Sequence, residues 1–183
     1  IYINDVINID NDTQFVMYTD DTSLFFNSSD IKQLINHANN VLDKLNEMTL
    51  LNSLAINKSK RKAVLFRPKN QKANIENPLM IGTSTVDVVP SVKSLGVVFE
   101  EHLVWNKLNE IIANKLSRVV GILTKLRFFL PTNIKLLIYN SLFLSHINYC
   151  HLVWGITTTS NLTKLFSLQK KAVRVITGSP YDA

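Results

Sequence analysis

The stretch Phe15-Val16-Met17-Tyr18-Thr19-Asp20-Asp21-Thr22-Ser23-Leu24-Phe25-Phe26 sets two adjacent carboxylates between two apolar runs. Phe15 to Tyr18 reads as a buried strand and Ser23 to Phe26 as its return. Only Thr19 to Thr22 separate them, so the pattern predicts a tight hairpin. Asp20 and Asp21 then stand at its tip, above a dry base. Like charges held side by side repel, and no Lys or Arg occurs before Lys32 to offset them. A hard divalent cation is the expected partner: Mg²⁺ takes oxygen ligands and leaves room for substrate phosphates. An Asp pair at a turn also serves as ordinary solvated turn chemistry. The apolar strands on either side are what favour the metal.

Composition bounds the class. The chain has 183 residues, 46% of them hydrophobic and 19% charged, which is enough apolar material for a real core in one domain or two small ones. There is no low-complexity tract or convincing repeat. The single Cys150 excludes an internal disulfide and fits a reducing compartment. No apolar run reaches the roughly 18 residues that span a bilayer. No targeting signal is visible, so an intracellular protein with no membrane partner is expected. The chain starts at Ile1, and its first methionine is Met17, inside a strand. It is therefore expected to be a piece of a longer protein.

Charge is uneven. Residues 1 to 31 hold six Asp and no Lys or Arg, whereas the whole chain carries +6, so the remainder carries +12. An acidic site followed by a basic body suits a metal-dependent enzyme that grips nucleic acid. A basic surface also serves solubility.

The pass along the chain predicts a mixed fold. Ile1 to Val6 reads as the end of a helix, and Ile7 to Gln14 as a polar loop. Asp30 caps a helix, with Gln33 as capping-box partner. Ile31, Leu34, Ile35, Ala38, Val41, Leu42, Leu45 and Met48 form its apolar face. Ala63 to Phe66 reads as a strand. Leu79 to Ile81 and Thr85 to Val89 bracket Gly82-Thr83-Ser84 as a second hairpin, and Leu95 to Phe99 reads as a further strand. Helical patterns then cover Asn106 to Leu130, Asn133 to Tyr149, and Asn161 (capped by Ser160) to Ile176, with Gly178 as a stop. In the first, Leu108, Ile111, Ile112, Leu116, Val119, Val120, Leu123 and Leu126 point inward. In the last, Leu162, Leu165, Phe166, Val173 and Ile176 form the apolar side. Three helices on short loops make a small bundle.

Tyr-x-Asp-Asp between two apolar strands resembles the central catalytic motif of reverse transcriptases. Ile1-Tyr2-Ile3-Asn4-Asp5-Val6, Leu54-Ala55-Ile56-Asn57-Lys58-Ser59-Lys60, Ser94-Leu95-Gly96-Val97-Val98-Phe99, Trp105, Tyr149 and Val153-Trp154-Gly155 are similar, in order, to segments of non-LTR (LINE-type, jockey-like) retrotransposon reverse transcriptases. Together they cover nearly the whole chain. The resemblance implies an α+β fold. Residues 1–100 would be the C-terminal part of a palm, an antiparallel sheet with packed helices that carries the Tyr-Thr-Asp-Asp hairpin. Residues 101–183 would be a helical thumb, a small three-helix bundle.

The implied activity is RNA-directed DNA polymerisation, with a primer 3′-hydroxyl attacking a dNTP. The implied cofactor is a pair of Mg²⁺ ions, or Mn²⁺ in their place, with Asp20 and Asp21 as catalytic and metal-ligating residues. Tyr18 and Thr19 lie near primer and dNTP. Lys58 or Lys60 faces departing pyrophosphate; a solvated basic run serves equally for these two. Lys115, Arg118, Lys125, Lys164, Lys171 and Arg174 are expected to contact nucleic acid. The partners are an RNA template, a DNA primer, dNTP and the upstream fingers and palm of the same polyprotein, which carry the remaining catalytic Asp. The chain alone is therefore expected to be inert. The setting is an element ribonucleoprotein in cytoplasm and nucleus.

Asp5, Asp10 and Asp12 are expected in helix-end and turn roles. His146, Cys150 and His151 lack a fourth ligand for zinc and are expected to be structural. Trp105 and Trp154 are expected to anchor packing. Thr19 stands where the family usually has Ala, Glu100 where Asp is usual, and Leu108 where His is common, and Glu47 to Ser53 lacks a customary Trp. These departures keep open an inactive transposon-derived remnant that retains nucleic-acid binding. Another palm-type nucleotidyltransferase fits the ordered downstream segments poorly.

Overall fold

Helices and short two-stranded sheets alternate along a chain that divides into two compact units at Pro90 and Ser91. The structure, a computed structural model, describes residues 4–57 and 59–180.

In the first unit a 3-10 helix (Asn4–Asn8) leads into a hairpin of β1 (Gln14–Tyr18) and β2 (Asp21–Phe25). The register pairs Gln14 with Phe25 and Tyr18 with Asp21. The loop is therefore only Thr19-Asp20, shorter than the four-residue turn expected, and Asp21 opens the return strand. The buried strands and dry base are also corrected. Phe15, Met17 and Leu24 are half-buried, while Val16, Tyr18 and Phe25 are exposed. A two-stranded ribbon has two open edges and one covered face, which cannot enclose both sides of an apolar strand.

Helix α1 (Ile31–Leu51) follows. Asp30 caps it by accepting from the Lys32 N–H at 3.1 Å. No capping box closes, because the Asp30 N–H donates to Ser28 Oγ instead, at 3.2 Å. Ile35, Ala38 and Val41 are buried and Ile31, Leu34, Leu42, Leu45 and Met48 half-buried, as the periodicity predicts. Ile35 and Ala38 pack with Leu79, flanked by Phe26, Ala63, Ile75 and Val86. Asn39 ties the helix to the chain after it: its Nδ2 donates to the Pro78 carbonyl at 3.2 Å, and its Oδ1 accepts from the Met80 N–H at 2.8 Å.

The sheets beyond α1 are minimal. β3 (Lys62–Ala63) pairs in parallel with β6 (Asp87–Val88), and β4 (Met80–Ile81) pairs with β5 (Ser84–Thr85). The Ala63–Phe66 strand is thus cut to its start. The second hairpin forms about Gly82-Thr83, with Gly82 at φ +55, where a Cβ would meet Asn46 Nδ2 at 3.0 Å.

The second unit opens with a hairpin, β7 (Ser91–Ser94) and β8 (Val97–Glu100), around Leu95-Gly96 at φ 46 and 83. Two positive φ values make the turn twist with its strands. Leu95 therefore lies in a turn, not in the expected strand. Val97 and Val98 enter the helical core, so this hairpin groups with the helices although residues 91–100 were expected with the first unit.

Helix α2 (Asn106–Lys125) buries Leu108, Ile112, Leu116, Val119, Val120 and Leu123 as expected, with Asn109 and Ala113 beside them. Ile111 and Leu126 stay exposed. The helix stops at Lys125, short of Leu130. Pro131 cannot continue a helix, and the residue before a proline disfavours helical φ/ψ. The second helical stretch is continuous but changes pitch: α3 (Thr132–Ile138), a π-helical segment (Tyr139–Leu144) and α4 (Ser145–Asn148). The wide turn brings Tyr139 and Phe143 inward with rings stacked 5.0 Å apart. A short α5 (His151–Trp154) leads to α6 (Thr159–Thr177).

The N-cap of α6 is Thr158, not Ser160, and Gly178 ends the helix at φ 74. Leu165, Ala172 and Ile176 are buried; Leu162, Phe166 and Val173, expected inside, are exposed. This helix carries two adjacent apolar stripes, and its packing against α2 takes the stripe through Ala172. Trp105 and Trp154 both lie in the core.

Candidate metal and nucleic-acid sites

The hairpin tip is built from Tyr18 to Asp21. Thr19 sits at φ 53, left-handed backbone that a β-branched residue adopts at a cost of about 1–2 kcal/mol. It is thus a strained turn residue, not the strand end its type suggests. Its hydroxyl donates to Asp20 Oδ1 at 2.9 Å. That bond, then a backbone N–H bond, holds the Asp20 carboxyl below its ordinary range; desolvation opposes them, and the charge of Lys60 assists. Asp20 is therefore a firmly ionised, exposed oxygen donor. Asp21 is exposed beside it, across the ladder from Tyr18. Tyr18 is 62% exposed, which leaves it available at the tip.

This donor set fits Mg²⁺ in kind, being hard, anionic oxygen. It supplies two carboxylates, and among the described residues no group of three or more His, Cys, Asp or Glu side chains converges. Lys60 is exposed in the turn after Asn57. That turn is shaped by Asn57 Oδ1, which accepts from the Ser59 N–H at 3.0 Å and its hydroxyl at 2.9 Å. Lys58 lies outside the described residues.

Two residues, Asp10 and His37, anchor the hairpin base, and the second has no local sequence signal. The Asp10 carboxylate accepts from Thr13 Oγ1 at 2.6 Å and meets His37 Nε2 of α1 at 3.0 Å. The His37 ring packs edge-on against Phe26 at 5.6 Å. His37 thus ties both the entry to and the exit from the hairpin to one helix. Asp10 has the turn role expected of it.

In the second unit Lys115, Arg118, Lys125, Lys164 and Lys171 are exposed, and Arg174 is half-buried. Residues 111–180 contain nine Lys and Arg and no Asp or Glu. Helix α6 holds no acidic residue, and α2 holds only Glu110, ahead of its Lys115, Arg118 and Lys125. His146 has its pKa lowered by burial and then by the charge of Lys115. His151 Nδ1 lies 3.1 Å from the Asn148 carbonyl oxygen, within hydrogen-bond reach of the backbone. Tyr149 donates its hydroxyl to the Leu95 carbonyl and lies 3.4 Å from where a Gly96 Cβ would stand. Two segments far apart in sequence, Leu95-Gly96 and Tyr149, thus meet. Trp154 Nε1 donates to the Tyr149 carbonyl at 2.8 Å. Glu100 is buried, and its Oε2 accepts from the Lys107 N–H at 3.2 Å. It caps α2, whose N-cap residue Trp105 makes no side-chain bond. An open apolar groove of about 420 Å³ lies beside α6, lined by Ile147, Trp154, Leu162 and Phe166 among others. Among the described residues no helix is long and apolar enough to cross a membrane.

No protein-family model matches the chain, and no curated protein or solved structure matches it.

Proposed function

We propose that the chain is the palm-and-thumb portion of an RNA-directed DNA polymerase of the non-LTR retrotransposon kind. One observation carries this reading. The hairpin tip presents two adjacent, exposed carboxylates, Asp20 in the loop and Asp21 opening the return strand, and the Thr19 hydroxyl lowers the pKa of the first. The acid-free, basic run of residues 111–180 agrees with a polyanionic partner.

In this reading Asp20 and Asp21 hold Mg²⁺ together with a carboxylate from an earlier palm strand. The bound ions supply activation of a primer hydroxyl and charge stabilisation at the α-phosphate. The chain's own contributions are positional and electrostatic. The strained Thr19 turn holds Asp20 at the tip, and its hydroxyl lowers the pKa of that carboxyl. The exposed Tyr18 ring borders the primer end. Lys58 or Lys60 would meet a leaving pyrophosphate; the charge of Lys60 also lowers the Asp20 pKa. Lys115, Arg118, Lys125, Lys164, Lys171 and Arg174 balance phosphate charge along the thumb helices without reading sequence.

The test joins this chain behind the fingers and first palm strand of a related polymerase and follows dNTP incorporation on a primed RNA template. Asp20→Asn and Asp21→Asn are each expected to abolish incorporation with Mg²⁺ while leaving the circular dichroism unchanged. Retention of full activity in both variants would remove the metal site. Primer–template binding without incorporation by the unmutated fusion would favour a remnant that keeps only nucleic-acid affinity.

A further inference from the structure

Lys125 ends α2, and the turn that leads to α3 carries Leu126, Arg127, Phe128 and Phe129. Phe128 is 84% exposed and Phe129 81%. Two adjacent phenyl rings held almost wholly in water are unusual in a unit that has a formed core. The backbone fixes them there: the Phe129 and Leu130 N–H groups both donate to the Leu126 carbonyl, at 3.0 and 3.1 Å. Pro131 then starts the next helix. The rings are thus carried on a bonded turn between two helices, not on a loose loop. The Arg127 guanidinium carbon lies 4.6 Å from the Phe128 ring centre, so one ring already pairs with a cation.

We propose that Phe128 and Phe129 form a stacking platform for unpaired bases of a nucleic-acid strand, with Lys125 and Arg127 on its phosphates. The choice of occupant follows from charge and shape. The tip carries Lys125 and Arg127, and from residue 111 to residue 180 the sequence offers nine cations and no carboxylate. Aromatic rings beside Arg and Lys suit single-stranded nucleic acid, because every base has a π-face and stacking tolerates any sequence. A membrane-surface device needs a helix with a long apolar face; here the two rings stand in a turn, although Leu136 and Leu137 of α3 are exposed as well. The proposal takes the nucleic-acid partner from the reading above and adds to it a place and a strand type: unpaired bases, at the thumb tip.

The experiment uses the 183-residue chain and two ligands: a blunt RNA–DNA duplex, and the same duplex with an RNA overhang containing 2-aminopurine. Affinity is read by anisotropy and stacking by quenching of the 2-aminopurine. The unmutated chain is expected to prefer the overhang and to quench it. Phe128→Leu with Phe129→Leu keeps the apolar bulk and removes the π-faces. It should lose the overhang preference, by about 5-fold to 150-fold for each base stacked, and leave blunt-duplex affinity and its salt dependence unchanged. Phe128→Tyr with Phe129→Tyr should restore both preference and quenching. If the Leu pair keeps the preference and the quenching, the platform is overturned while nucleic-acid binding stands. If the unmutated chain binds the blunt duplex but shows no preference for the overhang, the platform is likewise overturned. If it binds neither ligand, the nucleic-acid reading itself falls and takes the platform with it. Ring-dependent binding to phosphatidylserine vesicles without overhang binding would also overturn the proposal.

Discussion

Phe143→Ala should unfold the second unit selectively, and the size of the effect follows from its surroundings. Phe143 has no exposed surface, and its ring stacks on Tyr139 at 5.0 Å with 19° between planes. Tyr139 is itself held, since its hydroxyl accepts from Gln169 Nε2 at 3.0 Å. The surrounding helices cannot collapse into the space without moving that pair. Truncating a buried Phe to Ala costs about 3–5 kcal/mol, including the ring contact of about 0.5–1.5. At about 1–1.5 kcal/mol per molar urea, typical of a small unit, the midpoint falls by about 2–5 M. Small domains hold only about 5–10 kcal/mol in total, so the variant sits near the edge of stability. The assay is intrinsic fluorescence. The chain has only two tryptophans, Trp105 and Trp154, and both lie in the core of the second unit, so the signal reports that unit alone. Leu137→Ala is the comparison, because Leu137 lies on the same helical stretch and is 60% exposed. It should move the midpoint by no more than about 0.5 M. Equal shifts in the two variants would refute the packing assigned to the π-helical segment.

Glu100→Ala removes the carboxylate that caps α2 from the preceding hairpin and should cost about 1–2 kcal/mol by the same fluorescence titration; Glu100→Gln should recover most of it, and an unchanged Glu100→Ala midpoint would deny the cap. Asp10 titrates below its ordinary value because of the Thr13 hydroxyl first and His37 after it, with desolvation opposing. A folded pKa below the unfolded one gives stability that is present above the unfolded value, about 3.9, and lost as pH falls through the folded value. Thr13→Ala should therefore move the Asp10 carboxyl titration, followed by NMR, upward and shift acid unfolding of the first unit to higher pH. A titration that stays in place would assign the depression to other groups.

What the sequence determined by itself were the features that depend on near neighbours. The apolar spacing from Ile31 to Met48 gives α1 its buried face. The period from Leu108 to Leu123 does the same for α2, and Gly178 stops α6 because only left-handed backbone ends it cleanly. The paired Asp residues between two apolar runs marked the candidate site, since alternation and turn chemistry are local.

Tertiary structure decided the rest, because those choices are made by partners far along the chain. Thr19-Asp20 became a two-residue loop once the register paired Tyr18 with Asp21. Of two apolar stripes on α6, packing against α2 buried Ala172 and left Phe166 in water, a choice the helical period cannot make. Leu95 left its expected strand for a turn that Tyr149, 54 positions away, bonds. His37 anchors the hairpin through Asp10, 27 positions before it, in a contact with no local pattern. Periodicity states which residues seek burial or charge. Only the closed chain determines which of them meet, because pairing distant residues depends on packing that no local window contains.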